Sequence, residues 1–353
     1  MKKILSLILT AVLVLFFQVR LNGQEPVSAG RAEVSFSVNE PEKKVDVIIG
    51  GVSVTSLCWP DNVYKPVLYP MVALSGTEVT RGFPLRPRAG ERNDHRHQVG
   101  SWLNYGNVNG FDFWGNGSTG KRSENGGVIV LTGIVKAEGG EGRGVLTIKA
   151  LWQDPSGNNI LEETTDFHFI AGVNHWIVDR LTTLKALEKD VKMKDTKEGM
   201  FAIRVARQLE LPSKDNALLL GDNGQPGTEK AMENRGVTGN YRSSEGITGE
   251  AVWGKRASWM CLSGTVNDEK VSVVICDHPG NPSYPTYWHA RGYGLFSANP
   301  LGAFDFTNGK ETVNFLIPAG GLAAFRYRTI IASGSWLNDD EIERHARDFA
   351  ELY

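Results

Sequence analysis

The pattern of apolar and polar positions predicts strands along most of the chain. Ala32-Glu33-Val34-Ser35-Phe36-Ser37-Val38 alternates with a period of two, as a half-buried strand does. Val45–Ile49 reads as a second strand, stopped by Gly50-Gly51. Further runs lie at Gly127–Thr132, Val145–Trp152, Thr165–Ile170 and Trp176–Leu181, separated by Gly, Asn, Asp and Pro clusters such as Asp154–Asn159. Val271–Cys276 is another, and the turn Asn267–Lys270 before it predicts a hairpin. Short strands at this cadence predict an all-β fold, a large antiparallel β-sandwich. Helical period occurs at the C-terminus, where Ile342, Ala346, Phe349, Ala350 and Tyr353 fall on one stripe. Asp339 or Asp340 would cap that short helix, which would dock on a sheet. Residues 213–250 are rich in Gly, Asn, Ser and charge and read as a long loop or lid.

The first residues carry a different pattern. Lys2-Lys3 precede an apolar run from Ile4 to Phe17, followed by Arg20. The run is too short to span a bilayer and matches the length of a secretory core. Residues 1–24 are therefore expected to be a signal peptide, without a clear A-x-A cleavage pattern, and 25–353 a single domain. The mature protein is expected to be exported, periplasmic or extracellular, with no stable membrane span after cleavage.

Composition narrows the class. Glycine is high at 40 of 353 residues, which favours turns over helices. Lys+Arg is 38 against Asp+Glu 40, a balance that disfavours a nucleic-acid binder. Cys58, Cys261 and Cys276 form an odd set without CxxC spacing, so a thiolate zinc site is not supported. Cys261 and Cys276 flank the predicted hairpin turn, and two buried thiols fit better there than a disulfide.

Candidate chemistry gathers in two segments. The first, Arg88–Gln98, holds Glu91, Arg92, Asp94, His95 and His97, with Asn104, Asn109 and Asp112 close behind. On a strand His95 and His97 would share a face. The second, Asp277–Tyr293, holds His278, Asn281, Trp288, His289, Arg291 and Tyr293, stiffened by Pro279, Pro282 and Pro285 into a rigid loop at a sheet edge. Four of the seven histidines thus fall in two short segments. If these meet, His95, His97, His278 and His289, with Glu91, supply acid/base groups or ligands for a divalent metal. Arg92, Asn104, Asn109, Asp112, Asn281, Arg291 and Tyr293 would bond sugar hydroxyls, and Trp288 would stack on a sugar ring. Glu198, Glu245 and Asp277 are further carboxylates in suggestive surroundings. His168, His175 and His345 read as structural. No GxSxG, HExxH or Walker loop occurs.

Several runs resemble the bacterial PmoA-like family of unknown function: Thr80–Leu85, Gly90-Glu91-Arg92, Asp94-His95, Val108–Trp114, Lys197–Met200, Ile203–Arg207 and the long block Asp277–Gly302. The likeness covers nearly the whole mature chain. After Asp94-His95 the family pattern reads Pro-His-His, whereas this chain has Arg96-His97-Gln98. Members are often labelled methane oxygenase PmoA. That label does not suit a chain with one short apolar run, because the true subunit spans the membrane several times. The resemblance implies a β-sandwich, for which a supersandwich or mutarotase-like form is one candidate, in bacteria that degrade complex carbohydrates. It brings no established reaction. Together these readings point to a carbohydrate-active protein with a small-molecule sugar partner, an enzyme of lyase, epimerase or hydrolase type. The alternatives are a non-catalytic sugar-binding module and, behind it, a metal-dependent oxygenase. Substrate and oligomeric state are left open.

Overall fold

A computed structural model describes residues 31–231 and 234–353. The signal-peptide expectation for 1–24 lies outside these residues. Two large antiparallel sheets face each other. The nine-stranded sheet runs, in spatial order, Tyr287–Ala290, Leu295–Asn299, Gly199–Arg204, Ser101–Tyr105, Val67–Leu68, Val52–Cys58, Lys44–Ile49, Glu33–Asn39 and Gly140–Glu141. The eight-stranded sheet runs Asn240–Ser243, Trp259–Val266, Glu269–Asp277, Leu322–Ser333, His175–Ala186, Asn159–Ala171, Arg143–Gln153 and Val128–Glu138. The fold is thus the expected all-β sandwich with a C-terminal helix.

The main core lies between the sheets, where Leu103, Phe201, Ala298 and Trp288 from one meet Val273, Ile275, Phe325 and Tyr327 from the other. Such burial is the principal driving force for the sandwich. Strand pleat puts the alternate residues outside. On the nine-stranded sheet these form a second apolar cluster with Trp102, Ala202, Leu295 and Trp114. On the eight-stranded sheet they hold the helix Asp339–Leu352, whose Ile342 and Phe349 pack on Trp259, Cys261, Val274 and Cys276.

The predicted hairpin at Asn267 forms, with Asn267 and Asp268 both at positive φ (49° and 66°), the conformation a two-residue primed turn requires. Cys261 lies opposite Val274 in that hairpin, and all three cysteines are free thiols. Two expectations change. The helix cap is Asn338, not Asp339 or Asp340: its side chain accepts from the Glu341 amide at 3.0 Å, and Glu341 reaches back to the Asn338 amide at 2.8 Å. The 213–250 segment contains the hairpin Ala217–Leu220 with Pro226–Ala231 and the edge strand Asn240–Ser243. Its polar composition hid strands whose value lies in backbone pairing. Among the described residues no helix is long and apolar enough to cross a membrane.

Candidate functional site

The edge strand Tyr287–Ala290 decides where two neighbouring side chains go. Trp288 pairs with Ala298, which pairs with Phe201 and then Leu103, all on the core face. His289 pairs with Ser297, then Ala202, then Trp102, so this row lies on the outer face. Trp288 is fully buried and its Nε1 donates to the Ala257 carbonyl at 3.0 Å. It cannot stack on a sugar, which corrects that expectation.

Over the outer face closes a turn bearing the other two imidazoles. Arg81 and Arg204 staple it. Arg81 donates to the Asp94 carboxylate and carbonyl at 2.9 Å each, and to the carbonyls of His95 (2.9 Å) and Gln98 (3.0 Å). Arg204 reaches Asp94 at 2.8 Å and the Gln98 side chain at 2.5 Å. Both guanidiniums are fully buried. Burial alone would raise the Asp94 carboxyl, but Arg204, His95 and Arg81 together pull it well below the usual range. The Gln98 amide closes the turn onto the His95 carbonyl at 2.9 Å, and His95 sits at positive φ (44°). His95 and His97 are therefore on a turn and not on a strand, yet they still meet, with ring centroids 5.8 Å apart.

His95, His97 and His289 line one cavity of about 450 Å³, with Gln98, Asp112, Trp114, Gly115, Ser118, Lys197, Glu198, Arg291 and Tyr293. The His95 ring lies flat on Tyr293, 4.9 Å between centroids and 2° between planes. His289 Nδ1 lies 2.8 Å from the Lys197 carbonyl. A carbonyl only accepts, so Nδ1 carries the proton and Nε2 keeps its lone pair. Burial, then the Lys197 charge, drives the His289 pKa down to about 3. Burial, then the Lys65 charge, takes His97 to about 2. Both imidazoles are neutral at ordinary pH. Behind His97 the buried Lys65 donates to the His97 carbonyl at 2.6 Å and lies 5.2 Å from the centre of the Trp102 ring. Burial lowers its pKa to about 7 despite the attraction of Asp112.

Two carboxylates complete the cavity. Asp112 Oδ1 accepts from the amides of Trp114 and Gly115, both at 2.8 Å. Burial, aided by Glu198, raises its pKa over the opposing pull of those amides and Lys65. Glu198 pairs with the Lys197 ammonium.

The other sequence candidates are elsewhere. His278 follows an eight-stranded-sheet strand, and its ring packs edge-on against Phe349 of the C-terminal helix at 5.1 Å, on the opposite outer face of the sandwich. Four imidazoles therefore do not share one site. The two segments meet, but only at the His289 end of the second. Asn281 is spent on Asp277 and on the Arg326 backbone. Asp277 is buried beneath it with its pKa pushed up to about 7 by desolvation. Glu91 accepts from the amides of Gly82 (2.7 Å) and Phe83 (3.0 Å) and borders a separate cavity. Arg92 pairs with buried Glu210 at 2.7 Å. Asn104 supports the site from behind, accepting from Trp102 and donating to the Phe113 carbonyl. Asn109 ties a turn to Asp190 and Lys192. Glu245 bonds Ser244 at the surface.

Among the described residues no group of three or more His, Cys, Asp and Glu side chains is placed to hold a metal ion. The ligand set expected of four histidines is divided between the two faces, so no step is routed through a metal. Lys65 and Ser118 line or back the site without any signal in the sequence pattern, whereas Gln98 ends the Arg88–Gln98 segment and Trp114 and Lys197 fall in runs that carry the family likeness.

The model of a family of unknown function, DUF6807, matches residues 44–347. The chain belongs to this family. The match neither supports nor overturns the PmoA-like label. Among curated proteins none matches significantly. Solved structures with a distant likeness include the GH36 α-galactosidase AgaB of Geobacillus stearothermophilus, at 12% identity and TM-score 0.37, covering 85% of this chain and 41% of that one. AgaA of the same organism gives 12%, 0.35, 86% and 40%. A galactose mutarotase related enzyme of Lactobacillus acidophilus gives 11%, 0.27, 86% and 97%. The chain spans about two fifths of the α-galactosidases.

Proposed function

We propose that the protein is a carbohydrate-active enzyme of lyase or epimerase type, which moves a proton on a sugar held in the outer-face cavity. One observation carries this reading. A neutral imidazole with its Nδ1–H tied to a carbonyl and its Nε2 lone pair free lines the same cavity as a carboxyl group whose pKa is raised. Groups with environments that push their protonation apart divide the acid and base roles. In this reading His289 Nε2 accepts and Asp112 donates. Glu198 and Ser118 bond hydroxyls, and Trp114 lends apolar wall. The cavity size suits one or two sugar rings, since small-molecule sites run from about 300 to 1,000 Å³. A binding-only module would want an open aromatic platform. Here Trp288 is in the core and His95 already covers Tyr293.

The lysine-flanked apolar run near the N-terminus supports export of this activity. N-terminal sequencing of protein from the cell envelope tests it, and an intact Met1 would overturn it.

The function is tested by incubating the protein with a panel of sugars and glycosides in D2O. Wild type should wash deuterium into a C–H bond or release an unsaturated product. His289→Asn and Asp112→Asn should lose about 100-fold or more of that rate and keep sugar binding. Sugar binding by wild type with neither exchange nor product would turn the reading to a binding module.

A further inference from the structure

Arg291 lies 5.7 Å from the Trp253 ring centre and 5.9 Å from that of Tyr293. No carboxylate or hydrogen-bond acceptor among the described residues engages its guanidinium, which lines the cavity with its donors unspent. Beneath Tyr293, 4.9 Å from its ring centre, is Arg204. Arg204 and Arg81 share one carboxylate oxygen, Asp94 Oδ1. The two rings flank the Arg291 guanidinium within cation–π range. His289, Asp112 and Glu198 line the same cavity, with Glu198 paired to Lys197.

We infer that the sugar carries a carboxylate, as a hexuronic acid does, and that Arg291 holds this carboxylate while the ring extends toward His289 and Asp112. The assignment rests on the sugar-acting reading above and names its substrate class. A planar guanidinium matches a carboxylate with two parallel hydrogen bonds, and lysine does not reproduce that geometry. The placement also has chemical sense. Neutralising the carboxylate weakens the adjacent C–H bond toward a base, and His289 Nε2 is an acceptor on the same cavity.

The experiment compares binding of methyl glycosides of hexuronic acids, their methyl esters and the neutral parent hexosides, by calorimetry or ligand-observed NMR. The acid should bind about tenfold or more tighter than ester and parent, with the advantage shrinking as salt rises. Arg291→Met should reduce the acid to the level of the ester, and Arg291→Lys should restore only part of the difference. Arg291 is exposed, so both variants should fold, which thermal melting confirms. Equal binding of acid, ester and parent, or an unchanged preference in Arg291→Met, overturns the acidic-sugar assignment and leaves the sugar reading standing. No binding by any of these sugars overturns both.

Discussion

His289 and Trp288 are consecutive residues that serve opposite sides of one sheet: the Trp288 indole fills the core and the His289 imidazole, bonded to the Lys197 carbonyl at 2.8 Å, lines the outer cavity. That bond sets the tautomer. Nitrogen NMR of labelled protein should show His289 with a protonated Nδ1 and a bare Nε2, and no titration of His289 above about pH 4. A protonated Nε2 would remove the proposed base.

The two neutral imidazoles tie stability to pH. His97 and His289 have folded pKa values of about 2 and 3, below the ordinary 6.5. Their neutral burial contributes fully above pH 6.5 and is lost as pH falls through the folded values, because the unfolded chain binds the protons first. Urea melts should lose on the order of 1 kcal/mol per pH unit for each histidine between about pH 6 and 3. A His97→Gln, His289→Asn double variant should flatten that slope. An unchanged slope would place the acid sensitivity elsewhere.

Lys65 gives a second pH signature of the same charge type at higher pH. Its folded pKa is about 7 against 10.5 for a free lysine. The unfolded chain binds more protons between these values, so the lysine's penalty grows as pH falls from about 10.5 to 7 and is constant below. Lys65→Met should therefore gain stability relative to wild type on going from pH 10 to pH 7. A difference independent of pH over that window would mean that the ammonium is better solvated than its surroundings indicate.

Among the described residues Asp94 is the carboxylate that Arg81 and Arg204 share. Asp94→Ala leaves two buried guanidiniums facing each other and should cost about 3 kcal/mol in urea unfolding. It should also release the His95–Gln98 turn, so sugar binding should weaken in protein that is still folded. Full affinity in a destabilised Asp94→Ala would detach the turn from the site.

Gly115 approaches the Asp112 carboxylate closely: an added Cβ would stand 2.5 Å from Oδ2. Gly115→Ala should displace that carboxylate and lower turnover without loss of thermal stability beyond about 1–3 kcal/mol, the usual cost of overpacking. Asn338→Ala, at the helix cap on the far face, should cost about 1 kcal/mol and leave turnover untouched. Reduced turnover in Asn338→Ala would couple the C-terminal helix to the cavity.

Much of the fold was legible because half-buried strands alternate. Lys44–Ile49, Arg143–Gln153 and Asn159–Ala171 all show it. Among the strands that the pattern does not reveal, Ser101–Tyr105, Gly199–Arg204 and Leu295–Asn299 are buried at every position. They are the interior of the nine-stranded sheet, covered on both faces, so no alternation survives in them. They are also the strands that carry the site. The C-terminal helix was legible from a single apolar stripe, while its cap lies one or two residues before the expected Asp339 or Asp340 because three acceptors stand in a row.

The same division runs through the candidate site. Sequence alone determined that imidazoles, guanidiniums and carboxylates cluster in two segments, since that is a matter of residue identity and local spacing. Only the tertiary structure decided which of them share a cavity. The pleat of one edge strand sends His289 outward and Trp288 inward. Chain direction at the end of Glu269–Asp277 leaves His278 under the helix, on the other face of the sandwich. Arg81, from nearby in the chain, and Arg204, more than a hundred residues away, together fold the His95–Gln98 turn over the sheet. Side-chain chemistry is written residue by residue, but the face on which a residue appears depends on register, pleat and long-range pairing, and these exist only once the sheets have formed.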